Sequence, residues 1–149
     1  MTTTTTEAHP VKRLLISLLL LPPLLFGCSM YNASNQSEAD KMVGQYHEAL
    51  KAKQWDTLLA LYDPAFSKEH DRHAWQQELN TLFDQYGALN EIRQTFSQKD
   101  PRFRGDYYIY GYRLAFDKAT ISETITVFKG LETDKLTIAG HILEPVDTN

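Results

Sequence analysis

The sequence predicts an α+β fold, N-terminal helices packed on an antiparallel sheet of about four strands. Three observations lead there. Apolar residues between positions 38 and 86 recur at helical spacing. After Gly87 the apolar period shortens to two. Helical segments come first and strands after, rather than alternating, which separates this order from a parallel βαβ array. A length of 149 residues suits one domain plus a targeting segment.

The helices follow in order. Ser37 can accept a backbone N–H and Asp40 stands three residues on, so a helix is predicted to start at Ser37. Ala39, Met42, Val43, Tyr46 and Leu50 then form its apolar face, and Lys51 and Lys53 suit its negative end. A second helix is predicted from Trp55 to Leu61, stopped by Asp63-Pro64, since proline disfavours helical geometry in the residue before it. The third is capped by Asp71 and carries Trp75, Leu79, Leu82, Phe83 and Tyr86 on one face. Gly87 supplies the positive φ that ends it.

The strands follow the change of period. Ala88 to Ser97 reads as a strand with Ile92 and Phe96 on one side, and Gln98 to Gly105 as a loop holding Pro101. Asp106 to Phe116 alternates Tyr108, Tyr110, Tyr112, Leu114 and Phe116. Ile121 to Lys129 is rich in β-branched residues, and Lys135 to Leu143 returns after a turn.

Before residue 38 the sequence reads as an address. Lys12 and Arg13 precede Leu14 to Gly27, a run of 14 nearly all apolar residues. That is shorter than the roughly 20 needed to span a bilayer as a helix, and Pro22 and Pro23 interrupt it. A basic start, a short apolar core and a small residue before a cut fit a secretory signal peptide. The single cysteine, Cys28, has no partner for an internal disulfide. Leu25-Phe26-Gly27-Cys28 resembles the bacterial lipobox, although Phe26 is bulkier than the usual middle residue. The resemblance implies diacylglycerol transfer to the Cys28 sulfur, cleavage before it and acylation of the new amino end. Ser29, in place of aspartate, leans toward the outer membrane by the same resemblance. Residues 1–27 are therefore expected to be a lipoprotein signal peptide, 28–37 a lipidated tether, and 38–149 a periplasmic domain. A formal charge of −4 gives no broad basic field, so nucleic acid is not an expected partner.

The segment from Ala52 to Tyr62, followed by Asp63-Pro64, is similar to the helix pair of nuclear transport factor 2-like domains. Gly105-Asp106-Tyr107, Glu123-Thr124-Ile125-Thr126-Val127 and Ile138-Ala139-Gly140-His141 resemble the strands of small secreted members of that superfamily. The resemblance covers nearly all of residues 38–143 and implies a curved sheet wrapped around the helices as a cone. That fold hosts isomerases and dehydratases as well as many non-catalytic domains, so it does not decide function.

Candidate site residues come from the strands. Glu123 shares a face with Ile121, Ile125 and Val127, so it is predicted to point inward, with Arg113 or Arg93 as partner; a glutamate that pairs or reaches solvent fits the same pattern. His141 alternates with Ile138 and Ile142 and reads as a satisfied or exposed histidine, or as an acid/base group. Tyr108, Tyr110 and Tyr112 form an aromatic stripe suited to core packing or to a pocket wall. Glu69, His70 and His73 lack a further ligand and read as solvated, so neither a metal nor a cofactor is expected. Lys99, Arg102 and Arg104 surround Phe103 in a loop that suits solvent, a partner or anionic headgroups. The expected function is a lipid-anchored envelope protein that binds an envelope protein or a small apolar ligand without catalysis. The alternative is a small-molecule isomerase or dehydratase using Glu123 or His141.

Overall fold

A computed structural model describes Met1 and residues 27–133 and 135–146, with side chains from Asn35 onward. Most of the expected signal peptide and the Cys28 side chain lie outside the described residues. The helices are α1 (Gly27–Lys51), α2 (Trp55–Leu59), α3 (Phe66–Glu69) and α4 (Arg72–Tyr86). The strands are β1 (Leu89–Arg102), β2 (Gly105–Phe116), β3 (Thr120–Gly130) and β4 (Leu136–Pro145). They pair antiparallel in sequence order, β1-β2-β3-β4, in a curved sheet that does not close. The helices lie against one face, and the α+β arrangement expected from the sequence is the one observed.

The helix faces match their apolar spacing. Ala39, Val43, Tyr46 and Leu50 of α1 are buried, as are Trp75, Leu79 and Phe83 of α4. The Asp71 side chain caps α4 by accepting from the Ala74 N–H at 2.9 Å. Gly87 closes it at φ 87°, ψ −150°, a region open only to glycine. The expected helix start at Ser37 differs from the observed backbone. Helix α1 runs unbroken from Gly27, because neither glycine nor proline occurs between Cys28 and Val43 to interrupt it. Helix α3 is a single turn that periodicity over so few residues does not reveal.

Between α2 and α3 the chain touches the sheet. Asp63 N–H donates to the Ile138 carbonyl and Ile138 N–H to the Leu61 carbonyl, each at 2.9 Å, a parallel bridge of Tyr62 onto β4. The Asp63 carboxylate accepts from Ala65 N–H and from the Thr137 hydroxyl. This fixes Tyr62 over the inner face of β4.

Two bulges correct the strand expectations. The β1–β2 register slips between Gln94 and Phe96, so Ile92 packs against the core while Phe96 turns to the outer face over Gly111. The β3–β4 register slips at Ala139: Ile138 pairs with Val127, and Gly140 with Thr126. One extra residue therefore lets both Ile138 and His141 face inward. The Gln98–Gly105 loop is also shorter than expected. β1 continues to Arg102, and Phe103 and Arg104 alone form the turn. Pro101 is tolerated because β1 is an edge strand.

Gly105 is held at φ 150°, where a Cβ would stand 2.2 Å from the Lys129 carbonyl oxygen. That contact is with backbone, so no rotamer change relieves it. Gly105→Ala is expected to cost roughly 2 kcal/mol, read as a lower urea midpoint with an unchanged slope.

Candidate functional site: a carboxylate between two histidines

The inner face of β3 carries Ile121, Glu123, Ile125 and Val127, all fully buried. Strand alternation thus places a carboxylate in an apolar interior, where an unpaired charge is costly. Two imidazoles meet it. His47 Nε2 of α1 lies 2.6 Å from Glu123 Oε2, and His141 Nε2 of β4 lies 2.9 Å from Oε1. Burial pushes the Glu123 carboxyl up, but hydrogen bonds from His141 and His47 and their charges outweigh it, and the group falls from 4.5 to about 2. It is therefore an ionised carboxylate with both oxygens occupied.

The chain of bonds continues from His141. Its Nδ1 is 2.6 Å from the Tyr62 hydroxyl, which in turn lies 3.0 Å from Trp75 Nε1. Indole can only donate, so Tyr62 oxygen accepts from Trp75. His141 Nε2, facing an ionised carboxylate that can only accept, donates to Glu123. The Tyr62 hydroxyl is pushed well above the usual tyrosine range, first by burial. Tyr46 packs edge-on to His47, Tyr62 and His141, and its buried hydroxyl faces that of Tyr62 without a well-formed hydrogen bond. Its pKa is also raised well above the ordinary value, chiefly by burial.

The sequence candidates separate into two faces. Glu123 points inward as expected, and His141 joins it. The expected Arg113 or Arg93 partner is not the one found. Arg113 pairs with Arg93 and Ser122 on the opposite face from Glu123, because adjacent β-residues alternate. Tyr108 and Tyr110 are buried in the core, and the half-buried Tyr112 sets its ring edge-on to His47 at 4.4 Å. Burial, with Glu123 and Asp40 nearby, pushes Tyr112 up to about 12. The Tyr110 hydroxyl donates to Asp40 and accepts from Gln36, each at 2.8 Å, tying β2 to α1. His70 stacks on Phe66, and His73 lies 3.3 Å from Gln77. Among the described residues, no group of three His, Cys, Asp or Glu side chains is placed to hold a metal ion.

His47, Tyr62 and Trp75 were not singled out as polar partners in the sequence. His47 had a readable signal: it stands four residues after Val43 and eight after Ala39, on the apolar face of α1. A shallow depression lined by Tyr62, Phe66, His70, Arg72 and Trp75 reaches the outer end of this chain of bonds, and an open groove lined by Lys53, Trp55, Asp56 and Gln76 lies elsewhere. Neither is lined by Glu123, His47 or His141. The cluster therefore links α1, α4, the segment after α2 and two strands through ionic and polar bonds, and the depression meets it at Tyr62 and Trp75 rather than at Glu123.

No family model matches the chain, and no curated protein matches it. A solved structure, "Structure of Bdellovibrio bacteriovorus Bd1075", is similar at a TM-score of 0.56 and 14 % identity, over 78 % of this chain and 42 % of that one. The chain thus spans less than half the length of that protein, and the likeness is one of fold.

Two outcomes follow for the cluster. A carboxyl depressed on folding binds more protons unfolded, so Glu123 stabilises the fold fully above pH 4.5, and that contribution is lost as pH falls toward about 2. Glu123→Gln should cost roughly 3–5 kcal/mol at neutral pH and flatten the acid limb of stability against pH, measured by urea unfolding. Tyr46→Phe, by contrast, removes a buried hydroxyl whose one polar neighbour, Tyr62, it does not bond in good geometry. It should leave stability equal or raise it by about 1 kcal/mol; a larger loss would reveal a hidden partner.

Proposed function

We propose that the protein is a lipid-anchored component of the cell envelope, held through acyl chains on Cys28 and most readily placed at the outer membrane facing the periplasm. Its α+β domain acts as a non-catalytic binding or interaction module. The anchor reading is supported by the basic start, the short apolar run and the lipobox-like Leu25-Phe26-Gly27-Cys28. Several acyl chains hold firmly, since each buried CH₂ contributes roughly 0.8 kcal/mol.

The non-catalytic reading rests on the state of Glu123. A general base needs a free lone pair within reach of its substrate. Glu123 is 0 % exposed, and each of its oxygens faces an imidazole. A carboxylate held near a pKa of 2 is also a weak base at neutral pH. The isomerase or dehydratase alternative, built on Glu123 or His141, would need the interior to open and both imidazoles to withdraw. A protein partner at the surface fits a filled interior better than a small apolar ligand inside it.

The anchor has a direct test. Cells fed an alkyne fatty acid should label the native protein and not Cys28→Ala, and the variant should leave the membrane fraction. Label retained on the variant would overturn the assignment.

A further inference from the structure

The two most exposed large apolar side chains after Met1, among the described residues, are Phe103 at 96 % and Leu131 at 77 %. They lie far apart in sequence yet at one end of the sheet. Phe103 sits in the β1–β2 turn and Leu131 follows β3. The pairing of Gly105 with Gly130 brings the turns side by side, and Leu131 N–H reaches the Arg104 carbonyl at 3.4 Å. Arg102, Arg104 and Lys135 are exposed around them. Acidic groups are present too. Asp100 accepts from Arg102 at 2.6 Å, Lys99 pairs with Asp106 at 2.7 Å, and Glu132 is exposed in the second turn. Arg104 forms no ion pair among the described residues.

Helix α1 says which way this end faces. Its contacts ascend the sheet in reverse order: Glu38 lies 3.8 Å from Lys129, near the turns, and His47 meets Glu123 deeper in. The helix therefore runs antiparallel to β3, and its first residues extend past the same end that carries Phe103 and Leu131. At 1.5 Å per residue, Cys28 stands about 15 Å further along the helix than Glu38. The chain that would carry the acyl groups thus leaves the domain on the side of its most exposed apolar residues.

We propose that this end of the sheet is a membrane-docking tip: Phe103 and Leu131 enter the headgroup layer of a bilayer containing anionic phospholipid, and Arg104 and Lys135 face its phosphates. The proposal rests on the anchor reading for its orientation. An apolar ring in a turn, flanked by Arg104 and Lys135 among ion pairs that neutralise each other, is suited to an interface that is apolar below and anionic above. Docking would fix the domain's orientation on the membrane and leave the opposite end, with α2 and the β2–β3 turn, directed into the periplasm.

The test uses the full-length acylated chain, in which Cys28 is blocked and an introduced cysteine is the one free thiol. Thr133→Cys, beside the tip, and Lys118→Cys, in the β2–β3 turn, are labelled with an environment-sensitive fluorophore. The proteins are reconstituted in phosphatidylethanolamine vesicles holding a minority of phosphatidylglycerol, with bromine on the acyl chains. Expected is a blue shift and quenching at 133 with neither at 118, lost in Phe103→Ser/Leu131→Ser and weakened in Arg104→Gln. Quenching at neither position, or equally at both, overturns the docking tip, as does quenching at 133 unaffected by the double serine variant. Intact mass separates the two readings. An unmodified Cys28 overturns the anchor, and the tip is then judged by the same comparison in a Cys28→Ser background with vesicles added.

Discussion

An ionised carboxylate in an apolar interior sets the terms for the rest of this domain. Glu123 is on the inner face of β3, and the cation of that strand, Lys129, lies six residues along beside Glu38. The fold supplies two imidazoles from elements distant in sequence, His47 from α1 and His141 from β4. Each brings further contacts. His47 leads to Tyr112 on β2, and His141 to Tyr62 and through it to Trp75 on α4. A buried pair of this kind is weak evidence of net stability against an apolar equivalent. Its consequence is specificity: few other packings of these elements would satisfy the same charge.

That specificity complements an otherwise undirected core. Tyr46, Leu50, Leu79, Leu114, Ile125 and Ile138 are buried, and apolar contact alone tolerates many arrangements. The polar chain is directional. Trp75 can only donate and Glu123 only accept, so the two ends of the chain are fixed in direction. Tyr46 lies against this chain and meets it at the Tyr62 hydroxyl in poor geometry, the place where packing has taken precedence over hydrogen bonding.

Much of the architecture was legible because it depends on periodicity. The apolar faces of α1 and α4, the Asp71 cap and the inward phase of Glu123 all follow from spacing. What was not legible depends on register between strands. The bulges near Thr95 and Ala139 leave no mark in local alternation, so Phe96 was placed on the same side as Ile92 and His141 out of phase with Ile138. The partner of Glu123 was sought among arginines because arginine is the usual mate of a carboxylate. The answer lay on a helix a long way back in the chain, where a histidine had taken a place among apolar residues. Tyr62 was beyond local reading as well, since its position comes from a bridge between a connecting segment and β4.

The bulge at Ala139 makes the number of residues in β4 matter as much as their kind. With one fewer residue between Ile138 and His141, alternation would swing the imidazole to the outer surface and strand a negative charge in the interior. A single-codon deletion there would conserve every chemically notable side chain and still dismantle the arrangement they form.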